Sequence, residues 1–213
     1  MLEVLTEPGT IFHSTGTAPH GYYFETRIRL YDMLWQCLAR AMPERLPAGH
    51  FASICGTVIA GEHPDHGRRY TMVEPPMGGW GATAERDGLD AMYSCSHGET
   101  FNCPIEIAEA RYGLEVAYKR LNDSDEGHGL HVGGKGLSQA YRMRAKALLS
   151  AGYSRARQPV WGLNGGERGG TNGFSILRRD GGRSQHDFAS GIVLEPGDMV
   201  LIHTANGGGW GKG

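Results

Sequence analysis

The first part of the chain carries a helical pattern of apolar residues. Between residues 26 and 42 they recur three or four positions apart, at Ile28, Tyr31, Trp35, Leu38 and Met42. That spacing places them on one face of an α-helix. Pro43 then ends the pattern, since proline has no backbone N–H to continue a helix. The sequence predicts an amphipathic helix over residues 26–42 whose apolar stripe packs on the core.

Beyond residue 47 the pattern changes to short strand-like runs separated by Gly- and Pro-rich turns. The runs cover residues 51–59, 70–73, 114–119, 137–144, 147–154, 174–178, 192–194 and 199–203. Turn signals at such spacing favour a largely antiparallel sheet, sandwich or barrel. Residues 102–111 are predicted to form a second, short helix, because Pro104 is tolerated in a first turn. The expected fold is therefore β-rich α+β, in one domain: a helical lead-in over residues 1–47 and a β-rich part over residues 48–213.

The composition indicates that glycine has a structural role in this fold. The chain has 213 residues, of which 34 are Gly and 10 are Pro. Its hydrophobic share of 39% is a little under the roughly 45–50% of ordinary globular domains. The length is nevertheless sufficient to bury a core. Many of the glycines must therefore shape the backbone.

Charge and hydropathy exclude several classes of partner. There are 21 Lys and Arg against 23 Asp and Glu, a net charge of −2, with no long basic block. The longest apolar runs are far below the roughly 18 residues of a membrane span. The N-terminus is acidic and does not resemble a signal peptide. We expect neither a nucleic-acid nor a membrane partner, and a cytoplasmic location.

Two glycine clusters invite a phosphate-binding interpretation. Residues 129–136 satisfy Gly-x4-Gly-Lys, but Gly136 stands where the Mg²⁺-binding hydroxyl belongs, and a turn precedes the loop instead of a strand. Residues 79–84 match Gly-x-Gly-x-x-Ala but follow two prolines and open no helix. The sequence therefore predicts no bound nucleotide or other cofactor on this chain.

Metal-binding and acid–base chemistry have local candidates. His63 and His66 with Asp65 between them could chelate a metal, but flanking Gly and Pro fit an exposed polar loop, so no metal ligand is predicted. The carboxylates Glu99, Glu106 and Glu109 surround the short helix, for which Asn102 would be the N-cap. Glu106 and Glu109 then share one helical face, where one could act as acid or base and the other as its partner. A capped, solvated helix face is the alternative.

Six segments occur in an order that resembles the hydantoinase B/oxoprolinase family over about residues 28–211. They are Gly78-Gly-Trp-Gly-Ala82, Arg86-Asp-Gly88, residues 102–112, Gly133-Gly-Lys-Gly136, Pro159-Val-Trp-Gly-Leu-Asn-Gly-Gly166, and Leu194-Glu-Pro-Gly-Asp198 followed by Gly207-Gly-Gly-Trp-Gly211. An ordered series is far more specific than any one Gly-rich match.

The resemblance implies a role in an ATP-dependent enzyme. Family members are the B-type parts of N-methylhydantoinase, 5-oxoprolinase and related acetone- and acetophenone-type carboxylases, in which a partner A-type ATPase subunit holds ATP and Mg²⁺. It implies that this chain is a subunit, inactive alone, of a multi-chain enzyme that opens a cyclic amide of the hydantoin, 5-oxoproline or lactam type. The alternatives are a subunit of an acetone- or acetophenone-type carboxylase acting on a ketone, and a noncatalytic assembly module.

The resemblance is to the C-terminal half of the family only. The N-terminal segments Gly-Gly-x-His and His-x-x-Asp-x-Gly-Gly, associated with a divalent metal ion, have no counterpart here. Either another polypeptide supplies them or the chain is a truncated product. Asp87, Asn102 and Glu106 are the candidate catalytic residues facing a shared cavity, because polar groups within Gly-rich loops suggest function.

Overall fold

A computed structural model describes residues 3, 5–17, 21, 23–98, 100–124 and 126–213. Within that part of the chain there are two helices and nine strands. The helices are α1 (Tyr23–Ala41) and α2 (Ile105–Arg111). The strands are β1 (Gly56–Glu62), β2 (Arg69–Glu74), β3 (Leu114–Leu121), β4 (Leu137–Met143), β5 (Ala147–Gly152), β6 (Gly173–Leu177), β7 (Arg183–His186), β8 (Phe188–Leu194) and β9 (Met199–His203).

The strands form two antiparallel sheets that enclose the main core. One sheet has the order β2-β1-β5-β8 and the other β3-β4-β9-β6-β7. Side chains alternate across each strand, so every second residue points inward. Ile59 and Leu149 of the first sheet thus join Tyr141, Phe174 and Val200 of the second in one buried cluster. This arrangement confirms the predicted β-rich α+β class, as a sandwich and not a closed barrel.

The buried face of α1 differs from the predicted one. Tyr31, Leu38 and Met42 are 38–46% exposed, so the predicted apolar stripe is wrong for these residues. The fully buried residues on the helix include Ile28 and Asp32. Hydrophobic spacing could not identify this face, because one of its buried members is an aspartate.

Neither described helix is long and apolar enough to cross a membrane.

The buried Asp32 carboxylate is compensated by partners distant in the sequence. Arg29 Nη1 donates to its Oδ2 at 2.7 Å, and Arg155 Nη2 donates to the same oxygen. Trp161 Nε1 donates to Oδ1 at 3.1 Å. A buried charge without such partners would cost several kcal/mol. These bonds therefore attach α1 to the loop that follows β5.

Several strand boundaries also depart from the predicted ones. β1 begins at Gly56, whereas the predicted run began at residue 51, because Ala52 and Cys55 adopt positive φ angles of 44° and 51° that interrupt an extended strand. Strand β7 and the first half of β8 were not predicted. β7 (Arg183–His186) is a mostly exposed polar edge strand, so it lacks the apolar alternation that identifies a strand.

Three glycine-rich segments pack backbone against backbone in what we call the glycine layer: residues 78–81, 133–136 and 206–209. Gly134 N donates to Trp80 O and Gly207 N to Gly134 O, each at 2.8 Å, and Gly79 N donates to Ala205 O at 2.9 Å. A Cβ added to Gly79 would lie 2.0 Å from Gly134 O, and one added to Gly207 would lie 2.0 Å from Trp80 O. Only glycine permits this separation.

A buried histidine lies beside the glycine layer. His50 is fully buried, with its ring centroid 5.3 Å from that of Trp35 and 5.1 Å from that of Trp80. Its Nε2 lies 3.2 Å from Ser94 Oγ. Burial among aromatic rings lowers the pKa of His50 from 6.5 to about 4, although the charge of Asp32 opposes this. The imidazole is therefore neutral near pH 7.

We expect Gly207→Ala to lower the free energy of unfolding by about 3 kcal/mol, because its methyl group would overlap the Trp80 carbonyl of a packed backbone. Urea unfolding followed by circular dichroism measures the loss. Gly98→Ala is the matched control, since a Cβ there meets nothing within 4 Å. Equal stability of the two variants would contradict the proposed packing constraint.

We also expect the free energy of unfolding to fall as the pH is lowered from about 6.5 towards about 4, the interval between the pKa of His50 in the unfolded and in the folded chain. The unfolded chain takes up a proton near pH 6.5, whereas folded His50 stays neutral down to about 4, so the unfolded state binds more protons in this window. The stabilisation is present above about pH 6.5 and is lost on acidification, by about 2 kcal/mol between about pH 7 and about pH 5. Urea unfolding at several pH values measures the slope. His50→Gln should flatten it, and an unchanged slope would be evidence against this assignment.

Candidate functional site

A buried carboxylate links the two sheets at the end of β2. Glu74 is 6% exposed. Lys119 Nζ of β3 donates to its Oε1 at 3.0 Å, and Tyr141 OH of β4 donates to Oε2 at 2.6 Å. Both carboxylate oxygens thus receive a donor, which offsets the desolvation of the charge. A strand of one sheet is therefore joined to two strands of the other.

Asn102, one of the residues singled out from the sequence, borders this carboxylate. Lys119 Nζ also donates to Asn102 Oδ1 at 3.3 Å, and Asn102 Nδ2 lies 3.3 Å from Met77 Sδ. We call Glu74, Asn102, Lys119 and Tyr141 the Glu74 cluster. The N-cap prediction for Asn102 is wrong, because α2 begins at Ile105 and Pro104 holds the cap position without a side-chain bond.

A buried amide lies on the same side of the five-stranded sheet. Gln139 pairs directly with Lys119 across β3 and β4, and it precedes Tyr141 by two positions. Directly paired residues and residues two apart in a strand share one face of a sheet. Gln139 is fully buried, and its amide nitrogen and oxygen have no hydrogen-bond partner among the described residues. Such groups are costly to bury, so this amide marks the face as unusual for a core.

Burial, together with the charge of Glu74, raises the pKa of two nearby phenols. Burial and the Glu74 carboxylate raise the pKa of Tyr141 well above its ordinary value. Burial and the same carboxylate also raise the pKa of Tyr93. Tyr141 can therefore act only as a hydrogen-bond donor to Glu74 near pH 7. Lys119, whose side chain is 19% exposed, is the charged member that reaches the surface. The cluster can present an ammonium and an amide to a polar partner.

The other two candidate residues lie in different surroundings. The Asp87 side chain is 68% exposed; its Oδ1 accepts a bond from Val132 N at 2.8 Å and lies 3.5 Å from His131 Nδ1. Glu106 is exposed on α2. The structure therefore places Asp87 and Asn102 against different segments of the chain.

Glu109, the other carboxylate of the predicted acid–base pair on α2, is bonded within the fold. Glu109 Oε1 accepts a bond from Val116 N at 2.8 Å, which fastens α2 to β3. Glu109 is thus engaged by the backbone. Glu99 lies outside the described residues.

The sequence patterns tested for metal and phosphate binding have structural roles. His63 and His66 stack with ring centroids 3.9 Å apart, and each accepts a backbone N–H of its own loop through Nδ1. Among the described residues, no three His, Cys, Asp or Glu side chains come together as metal ligands. A Cβ on Gly133 or Gly134 would lie 2.0–2.2 Å from other backbone atoms. The Gly-x4-Gly-Lys loop is therefore packed against protein and does not fit a nucleotide phosphate.

Comparison with known proteins assigns the chain to a family. The family model described as Hydantoinase B/oxoprolinase matches residues 1–213. The chain belongs to the hydantoinase B/oxoprolinase family. The resemblance inferred from the ordered motifs is thereby confirmed.

Relatives of this hydantoinase B/oxoprolinase family member are considerably longer. An uncharacterized protein of Methanocaldococcus jannaschii is 28% identical over 213 residues, which are 100% of this chain and 36% of that protein. The 5-oxoprolinase 1 of Arabidopsis thaliana is 30% identical over 135 residues, 63% of this chain and 11% of that protein. The chain thus spans about a third or less of these relatives.

Two solved structures share the fold. The ATP-dependent caprolactamase from Pseudomonas jessenii superposes with a TM-score of 0.72 at 22% identity, covering 83% of this chain and 32% of that chain. The nucleotide-free structure of acetone carboxylase gives a TM-score of 0.71 at 18% identity, covering 89% of this chain and 30% of that chain. At these identities the comparison supports the fold alone.

Glu74, Lys119 and Tyr141 are not identifiable as site residues from the sequence pattern, and Lys119 shows one reason. The period-two pattern places Lys119 on the face opposite Leu114, but the register of β3 against β4 shifts between Val116 and Tyr118. This β-bulge turns Lys119 inward. The signal available in the sequence was β4 (Leu137–Met143), where Gln139 and Tyr141 stand between Leu137 and Met143 on one face of the strand.

We expect Lys119→Met to lower the free energy of unfolding by about 3–5 kcal/mol, because it leaves the buried Glu74 carboxylate without its cation. Chemical denaturation measures the change. Lys135→Met is the control, since Lys135 pairs with Asp123 and Glu126 at the surface and should change stability by about 1 kcal/mol or less. Equal losses in the two variants would contradict a special role for the buried pair.

Proposed function

We propose that this chain is part of a multi-chain ATP-dependent enzyme that opens a cyclic amide of the hydantoin, 5-oxoproline or lactam type. It works with an A-type ATPase subunit and with a polypeptide that supplies the metal-bearing N-terminal half of the B-type subunit. On its own the chain is inactive. The cytoplasm is the proposed location.

The observation that carries this proposal is the family match over residues 1–213. The fold is shared with a caprolactamase that is ATP-dependent, and a 5-oxoprolinase is among the relatives. The names of both proteins describe an activity on a cyclic amide.

The chain's own residues support placing ATP, Mg²⁺ and the divalent metal ion on partner polypeptides. The only Gly-x4-Gly-Lys segment is part of the glycine layer, where Gly133 and Gly134 approach other backbone atoms too closely to admit a phosphate. The described carboxylates and histidines form no set of metal ligands. We therefore propose that this half contributes positioning groups.

Asn102 is the best supported of the candidate catalytic residues. Its amide is half-buried and held by the Lys119 ammonium, so it is oriented before any partner binds. Preorganised donors of this kind stabilise charge that develops on an amide oxygen. Glu106 and Asp87 are exposed and would meet a substrate only if a partner chain covers them.

The proposal is tested by reconstitution. The purified chain is mixed with an A-type subunit and an N-terminal-half polypeptide, and ATP-dependent ring opening of hydantoin, 5-oxoproline and caprolactam is measured. We expect turnover only in the complete mixture. We expect Asn102→Ala to lower turnover at least about tenfold, as for loss of one oriented donor. Full activity from this chain alone would contradict the proposal.

Control measurements separate the alternatives. Glu106→Ala tests the second candidate, and Glu115→Ala is its control, since Glu115 is an exposed acid on β3. Size-exclusion chromatography shows whether each variant still assembles. Normal turnover with Asn102→Ala and Glu106→Ala in an intact complex would leave only an assembly role. ATP turnover that requires bicarbonate would instead identify a ketone carboxylase.

A further inference from the structure

Four arginines line one concave surface between α1 and the loop that follows β5. The pocket has a volume of about 380 Å³ and contains Arg29, Arg155, Arg157 and Arg168 together with Gln36 and Gln158. An adjoining pocket of about 360 Å³ shares Arg29, Arg155, Arg157 and Gln158. We call this surface the arginine pocket. It lies partly within the segment Pro159-Val-Trp-Gly-Leu-Asn-Gly-Gly166, to which the proposed function gives no role.

The arginine pocket has more positive than negative charge. Asp32, at its base, neutralises one unit while bonded to both Arg29 and Arg155. Asp187 accepts a bond from Arg157 Nε at 2.8 Å in an exposed pair. Arg168 forms no ion pair with any described residue. Four guanidinium groups therefore face two carboxylates, and focused positive charge attracts anions.

The buried member of the pocket is held in place yet retains an unused donor. The Arg155 side chain is 4% exposed. Its Nη1 donates to Pro159 O at 2.9 Å and its Nη2 to Asp32, whereas its Nε has no partner among the described residues. Its backbone has φ +57°, a conformation that is strained for a non-glycine residue. Strain and an unsatisfied buried donor together are typical of a ligand site.

We propose that the arginine pocket binds a small oxyanion, either a phosphate group or a carboxylate. Guanidinium groups form paired, charge-assisted hydrogen bonds with both. Arg155 is fixed by Asp32 and would supply the rigid base, and the exposed Arg168 would close on the anion from solvent. The side-chain amides of Gln36 and Gln158 would contribute neutral donors. This inference does not rest on the proposed function, because binding needs neither ATP nor a ring substrate.

Calorimetric titration of the full chain with inorganic phosphate and, separately, with acetate tests the proposal at constant ionic strength. We expect saturable binding of at least one anion. Arg168→Gln should weaken it about tenfold or more, because it removes a charge-assisted hydrogen bond to the anion. Arg157→Gln provides a second variant, should Arg168→Gln fail to fold.

Arg69→Gln is the matched control. It removes the same charge from an exposed position on β2. The Arg69 backbone lies opposite Glu62, at the end of β1 that is remote from the arginine pocket, whereas Gly56 at the other end of β1 lies opposite Gly152, just before Arg155. Binding of phosphate alone would identify a phosphate site, and binding of acetate as well would identify a general carboxylate site. The absence of saturable binding, or equal weakening by Arg69→Gln and Arg168→Gln, would overturn the proposal.

Discussion

The structure depends on the close contact of backbones in the glycine layer. Residues 78–81, 133–136 and 206–209 come from distant parts of the chain, and they exchange backbone hydrogen bonds such as Gly207 N to Gly134 O. Backbones can approach this closely only where no Cβ stands between them. The loops between the strands are consequently ordered, and they fix the ends of the strands from which the functional side chains project.

Such packing buries backbone N–H and C=O groups that have no hydrogen-bond partner within a sheet. Side-chain amides form hydrogen bonds with these groups instead. Asn172 Nδ2 donates to Phe51 O at 2.8 Å, and its Oδ1 accepts a bond from Ala205 N at 2.8 Å. Asn206 Oδ1 accepts a bond from Gly136 N at 2.7 Å. Buried amides of this kind stabilise the loops because an unmet backbone group costs about 1–3 kcal/mol. The glycines and asparagines thus form one structural unit.

Two buried carboxylates connect this scaffold to the sites. Asp32 fastens α1 beneath the arginine pocket, and Glu74 joins the two sheets beside Asn102. Each is compensated by a cation from a distant segment, so the side chains around it are held in one geometry. Rigid support of that kind is what a binding or catalytic group requires. Both proposed sites therefore follow from how the fold neutralises buried charge.

The sequence by itself determined the family, the β-rich α+β class, most of the strands and the importance of glycine, because ordered motifs and period-two patterns are local properties. It also pointed to Asn102. Only the tertiary structure decided which face of α1 is buried, where Lys119 points and which arginines meet. A buried Asp32, a β-bulge at residues 116–118 and loop backbones in contact all depend on partners remote in the sequence. Local patterns predict the secondary structure well, but the pairing of buried charges is decided by the packing of the whole chain.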